Sequence, residues 1–124
     1  MADITRTTIG SSSISIAPLA LGGNVFGWTA DRDATFEVLD AFVAGGGNFI
    51  DSADSYSHWV PGNSGGESER LIGEWMSARG TRDDVVIATK VFSHPEYQGL
   101  APLNVRAAVT ASLDRLNTDH IDLY

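Results

Sequence analysis

The chain has 124 residues, 43% of them hydrophobic and 19% charged, with no cysteine and a formal net charge of −8. Eight scattered cations build no basic patch, which argues against nucleic acid and anionic membrane surfaces as partners. The missing cysteines remove disulfides, thiolate metal sites and cysteine nucleophiles together. The reading is one acidic, soluble, cytoplasmic domain over residues 1–124 with no metal. The N-terminus Met-Ala-Asp-Ile-Thr-Arg has no leader-like apolar stretch, and no run nears the roughly 18 apolar residues a membrane-spanning helix needs.

Two short β-prone runs flank Gly10 to Ser12 and predict a hairpin over about residues 4–16. Pro18 introduces Leu19-Ala20-Leu21, which ends at Gly22-Gly23 and reads as a strand buried on both faces. From Asp31 the period becomes helical: Phe36, Leu39, Phe42 and Val43 form a stripe to Gly45, predicting a helix over 31–44. Asn48-Phe49-Ile50-Asp51 is a second strand. A polar loop then runs to Ser64, which with Glu67 makes a capping box for a helix over 66–79 with Leu71, Ile72, Trp75 and Met76 inside. Val85-Val86-Ile87-Ala88-Thr89 is the clearest strand in the chain. Pro102 opens a third helix over 102–116, striped by Val105, Ala108 or Val109, Ser112 and Leu116, and Ile121-Asp122-Leu123-Tyr124 begins a fourth strand.

Strand ends near 22, 51, 90 and 124 are spaced by about 30 to 40 residues, the size of a βα unit, so the sheet is expected to be parallel with right-handed crossovers. An open dinucleotide-binding sheet wants Gly-x-Gly-x-x-Gly after its first strand, and Leu21-Gly22-Gly23-Asn24-Val25-Phe26-Gly27 lacks it. Gly62-Asn63-Ser64-Gly65-Gly66 has no lysine after it and is no phosphate loop. A barrel is preferred: the first four β/α units of a (β/α)8 TIM barrel, a half-barrel, since a complete one takes about 250 residues.

Lys90 is the only lysine. It closes an apolar strand, where an ammonium is costly without a partner, and lysine is the cation whose pKa burial can tune. Asp51 closes another apolar strand, and Tyr56 follows five residues later. In a barrel such strand ends surround one cavity, so the aspartate can hold the lysine charged beside the phenol. A tyrosine near pKa 10 does little proton chemistry at neutral pH until a neighbour shifts it. The bland alternatives are a lysine snorkelling to water, an aspartate capping a turn and a rim aromatic. The same three residues also suit a Schiff-base aldolase.

Leu19-Ala20-Leu21-Gly22-Gly23 with Phe26-Gly27, then Phe49-Ile50-Asp51-Ser52-Ala53-Asp54-Ser55-Tyr56, resemble the first two strand ends of the aldo-keto reductases. Gly66-Glu67-Ser68-Glu69 before Leu71-Ile72-Gly73, Ile87-Ala88-Thr89-Lys90-Val91, and Ala111 through Tyr124 continue that resemblance collinearly from about residue 14. It implies a barrel enzyme that reduces aldehydes or ketones with NADPH. Asp51, Tyr56 and Lys90 match three members of the family's catalytic tetrad: Tyr56 as general acid, Lys90 lowering its pKa, Asp51 orienting the lysine. Gly22, Gly23 and Asn24, with Asp51, match the segment beside the nicotinamide ribose. Phe92 matches a substrate-pocket aromatic, and the loop aromatics Phe26, Trp28 and Trp59 join it as pocket candidates. The tetrad histidine falls three residues past Tyr124. His120 lies at the wrong end of its strand to replace it, while His58 and His94 are rim candidates or solvated loop residues. The chain alone is therefore expected to be inactive. The alternative is a non-enzymatic regulatory protein or a half-barrel that associates with itself.

Overall fold

The structure, a computed structural model, describes residues 4–124, and residues 1–3 of the expected domain lie outside the described residues. β1 (Thr7–Thr8) pairs antiparallel with β2 (Ser15–Ile16), Thr7 opposite Ile16. Next come β3 (Ala20–Gly22), α1 (Arg32–Ala44), β4 (Phe49–Asp51), α2 (Glu67–Arg79), β5 (Val86–Ala88) and, after a small hairpin, α3 (Pro102–Leu116). The sheet is parallel in the order β3-β4-β5, with Leu21 opposite Ile50 and Ile50 opposite Ile87. After α3 the chain returns beside β5. The expected fourth strand is there a single parallel bridge, Ala88 to Leu123, with Asp122 and Leu123 amides both on the Ile87 carbonyl.

The core lies between one face of this sheet and the helices. Ile50 and Ile87 are fully buried against Leu39, Ile72, Trp75 and Leu116. Burial of such side chains supplies about 1.5–3 kcal/mol each relative to exposure. Helix α1 is capped by Asp31, whose carboxylate accepts from the Ala34 amide at 2.9 Å, and it buries Phe36 and Leu39. Gly73 lets α2 and α3 approach, for a β-carbon there would sit 2.5 Å from the Arg115 carbonyl oxygen. On α3, Ala108, Ser112 and Leu116 are buried, and Val105 and Val109 flank them half-buried.

Three expectations change. Leu19-Ala20-Leu21 is not covered on both faces: Leu19 is 69% exposed and Ala20 is exposed, because β3 is the sheet's edge among the described residues. The capping box on Ser64 does not form. Helix α2 starts at Glu67 after Gly65 and Gly66, both at positive φ, and a side chain at Gly66 would collide with Arg115. Only the return half of the motif survives, as the Gly65 amide donates to Glu67 Oε1 at 2.8 Å. Finally, β6 (Ser93–His94) and β7 (Tyr97–Gln98) form a hairpin around Pro95 where a loop was expected.

Candidate active site

The register sets Gly22, Asp51 and Ala88 side by side at the C-terminal ends of β3, β4 and β5. Side chains alternate along a strand, so with Ile50 and Ile87 turned to the helices, Asp51 and Lys90 turn to the open face. There the Lys90 ammonium donates to both Asp51 carboxylate oxygens at 3.0 Å and to the Ser52 carbonyl at 2.6 Å. Its Nζ also lies 4.7 Å from the centre of the Tyr56 ring. Burial works to lower the Lys90 pKa, but the Tyr56 hydroxyl and the Asp51 carboxylate outweigh it and raise it. The lysine is a held cation, about half exposed. Tyr56, Lys90, Phe92 and Ser55 line a cavity of about 260 Å³.

The loop bearing Tyr56 is tied down at several points. The Ser52 amide donates to the Ala88 carbonyl at 2.8 Å and the Asp54 amide to the Lys90 carbonyl at 3.1 Å. The Ser52 and Ser68 hydroxyls meet at 2.9 Å, and Ser68 donates on to the Gly23 carbonyl. Ser57, at φ 70, donates to the Phe26 carbonyl at 2.7 Å. A non-glycine residue at such a φ persists only where its surroundings over-determine it.

The other candidates divide. Gly22 and Asn24 are exposed beside Asp51, whereas Gly23 is buried and its amide is committed to the Asp51 carbonyl at 2.8 Å. Phe26 is 1% exposed and belongs to the core, not to the open face, since it packs among Phe36, Ile72 and their neighbours. Trp28 and Trp59 meet edge to face at 5.6 Å, and Trp59 lies 6.3 Å from the Tyr56 ring. Phe92 is 61% exposed and stands at φ 154 on the cavity wall. His58 is exposed against Trp59. His94 is not a solvated loop residue: it is 2% exposed, its Nδ1 accepts from the Glu96 amide, and burial lowers its pKa. His120 pairs with Asp119 at 2.6 Å, away from this face.

A buried ionic layer behind the site escaped the sequence. Glu69 is fully buried and accepts from the Thr89 hydroxyl at 2.5 Å and from Arg115 Nε at 2.6 Å. Asp54 lies in the same layer, 1% exposed. Glu69 reads as an ordinary first-turn acid, and only the contact between α2 and α3 reveals its partner.

The sequence model of the Aldo/keto reductase family matches residues 18–124. The chain belongs to the aldo/keto reductase family. It is 38% identical over 135 aligned residues to the norsolorinic acid reductase of Aspergillus flavus, an alignment covering 95% of this chain and 33% of that one. An uncharacterised 11.2 kDa protein of Pseudescherichia vulneris is 48% identical over 94 residues, 75% of this chain and 91% of its own. The holo-form structure of an aldo-keto reductase from Bacillus halodurans superposes with a TM-score of 0.79 at 28% identity, covering 98% of this chain and 39% of that one. The chain thus spans about a third of the length of the full-sized reductases it matches.

Proposed function

We propose that these residues are the tyrosine-bearing half of a (β/α)8 reductase that converts aldehydes or ketones to alcohols with NADPH. The observation that carries the reading is Lys90, clasped by Asp51 and the Ser52 carbonyl with its charge over the Tyr56 ring. Tyr56 gives its hydroxyl proton to the carbonyl oxygen as negative charge develops there. Lys90 stabilises the phenolate that remains, and Asp51 fixes the ammonium and balances its charge, so the triad reaches the transition state already oriented. The cofactor, when bound, supplies the hydride to the carbonyl carbon.

The residues present fit its nicotinamide end. A β-carbon at Gly22 would meet only Asn24 Oδ1, at 3.6 Å, so the strand end leaves room for a flat ring beside Asp51. Gly22 and Asn24 are the residues that would hold the adjoining ribose, and Gly23 shapes their approach from below. Trp28, Trp59 and Phe92 are the aromatic surfaces available to the substrate. Residues for the pyrophosphate, the adenosine and the tetrad histidine are implied by the family outside these 124 residues. Replacing Tyr56 with phenylalanine in the complete protein should reduce kcat far more than cofactor affinity, because the hydroxyl acts only on the reacting oxygen. Equal losses in both refute the general-acid role.

One feature favours a second reading. The edge strand leaves Leu19 69% exposed, and at the other side Leu123 and Tyr124 stand 39% and 44% exposed. A self-associating half-barrel would cover these edges. Light scattering of the purified 124-residue chain decides: a monomer at micromolar concentration sinks that reading.

A further inference from the structure

The proposed reaction uses Asp51, Tyr56 and Lys90, and it leaves one buried acid between them without a task. Asp54 is 1% exposed, and its Oδ2 has no hydrogen-bond partner among the described residues. It lies two residues before Tyr56, and its own amide donates to the Lys90 carbonyl at 3.1 Å, so this residue fastens the tyrosine loop to the lysine strand end. Ionisable groups face it from each neighbouring element: Glu69 on α2, Arg115 on α3, Lys90 beyond β5 and Tyr124 on the last segment. Glu69 cannot relieve it. One Glu69 oxygen takes the Thr89 hydroxyl and the other takes Arg115, so the glutamate and the arginine are already engaged with each other. A charged Asp54 in this buried layer would face the Glu69 carboxyl with a lone oxygen unsatisfied, which is the costly way to bury a carboxylate.

We propose that Asp54 is a positioning residue whose protonated carboxyl keeps the Tyr56 loop seated on the Lys90 strand end, and that ionisation of this carboxyl loosens the seat. Burial first, and then the Glu69 charge, push Asp54 up to about 6 against the downward pull of Arg115, the Ser55 amide and Lys90. The seat is therefore complete below about pH 6 and increasingly strained above it. The consequence for catalysis rests on the reductase reading, while the proton itself does not.

The experiment has two arms on the complete protein. In the first, the side-chain carboxyl of Asp54 is titrated by carbon-13 NMR, and exchange of its amide is followed from pH 5 to 8. A midpoint near 6, with amide protection falling above it in wild type and constant in Asp54→Asn, is expected. A midpoint near the ordinary 3.8, or protection that does not follow the titration, overturns the proposal. In the second arm, kcat for NADPH-dependent reduction of an aromatic aldehyde is measured over the same range. Wild type should lose on the order of tenfold between pH 6 and 8, within what misplacement of a reacting group costs, and Asp54→Asn should lose that inflection. An unchanged inflection in the variant overturns the positioning role. Absence of any reduction by wild type instead refutes the reductase reading, with the first arm still deciding whether the seat is proton-dependent.

Discussion

Replacing Arg115 with methionine tests the ionic layer that supports the site from behind. Arg115 Nε stands 2.6 Å from a Glu69 carboxylate that is fully buried, and the arginine side chain is itself only 10% exposed. Methionine preserves the apolar stem that packs over Gly66 but leaves Glu69 with a single donor, the Thr89 hydroxyl. Removing one partner of a buried ion pair costs about 3–5 kcal/mol, most of it the penalty of the charge left behind. At roughly 4 °C per kcal/mol for a domain of this size, the midpoint of thermal unfolding should fall by about 12–20 °C. The double variant Glu69→Gln/Arg115→Met removes both charges and should regain most of that loss. Urea denaturation followed by the fluorescence of Trp75, buried in the core, measures all four corners of the cycle. A single-variant loss under about 1 kcal/mol, or a double variant less stable than the single one, would refute the claim that Glu69 is a compensated buried anion.

What the sequence could and could not reveal follows from how local each signal is. The helix at 31–44 was legible because its signals sit within the helix itself: an aspartate cap, an apolar stripe and a terminating glycine. The convergence of Asp51, Tyr56 and Lys90 was legible because a charge at the end of an apolar run is anomalous in one dimension, and the parallel register then brings the strand ends together. Phe26 was misjudged because a loop aromatic near a site looks the same whether it turns into the core or out of it. The hydrogen bond from Ser57 to its carbonyl, which pins the loop, involves a residue 31 positions away. Asp54, Glu69 and Arg115 were silent for the same reason, since Glu69 and Arg115 are 46 positions apart and each alone resembles a solvated surface charge. Ser64 failed as a cap because two glycines at positive φ carry the chain past Arg115 before α2 begins, a constraint imposed by α3.

Gly73→Ala should destabilise by about 1–3 kcal/mol, as overpacking does, because its β-carbon meets the Arg115 carbonyl and Leu116 backbone; denaturation showing no loss would mean that α2 and α3 can separate freely. Asp54→Asn should be more stable than wild type above pH 6 by up to about 3 kcal/mol. The sign follows from a folded pKa of about 6 against an ordinary 3.8: the folded wild type holds the extra proton, so its stability falls as pH rises through that window and the variant's does not. Parallel stability curves for the two proteins from pH 4 to 7 contradict this. Phe92→Gly separates backbone strain from substrate contact. Phe92 stands at φ 154 with its ring 61% exposed, so the ring adds little to the core while the backbone bears a conformation that side chains disfavour. Relief of such strain is worth about 1–3 kcal/mol, against roughly 0.5–1 kcal/mol for the added chain entropy of glycine, so stability should hold or rise. If the ring is a substrate surface, KM for a bulky aromatic aldehyde should rise in the complete protein while kcat changes little. A variant that loses stability instead, with KM unchanged, would show that the Phe92 ring supports the fold and that the strain is not stored for binding.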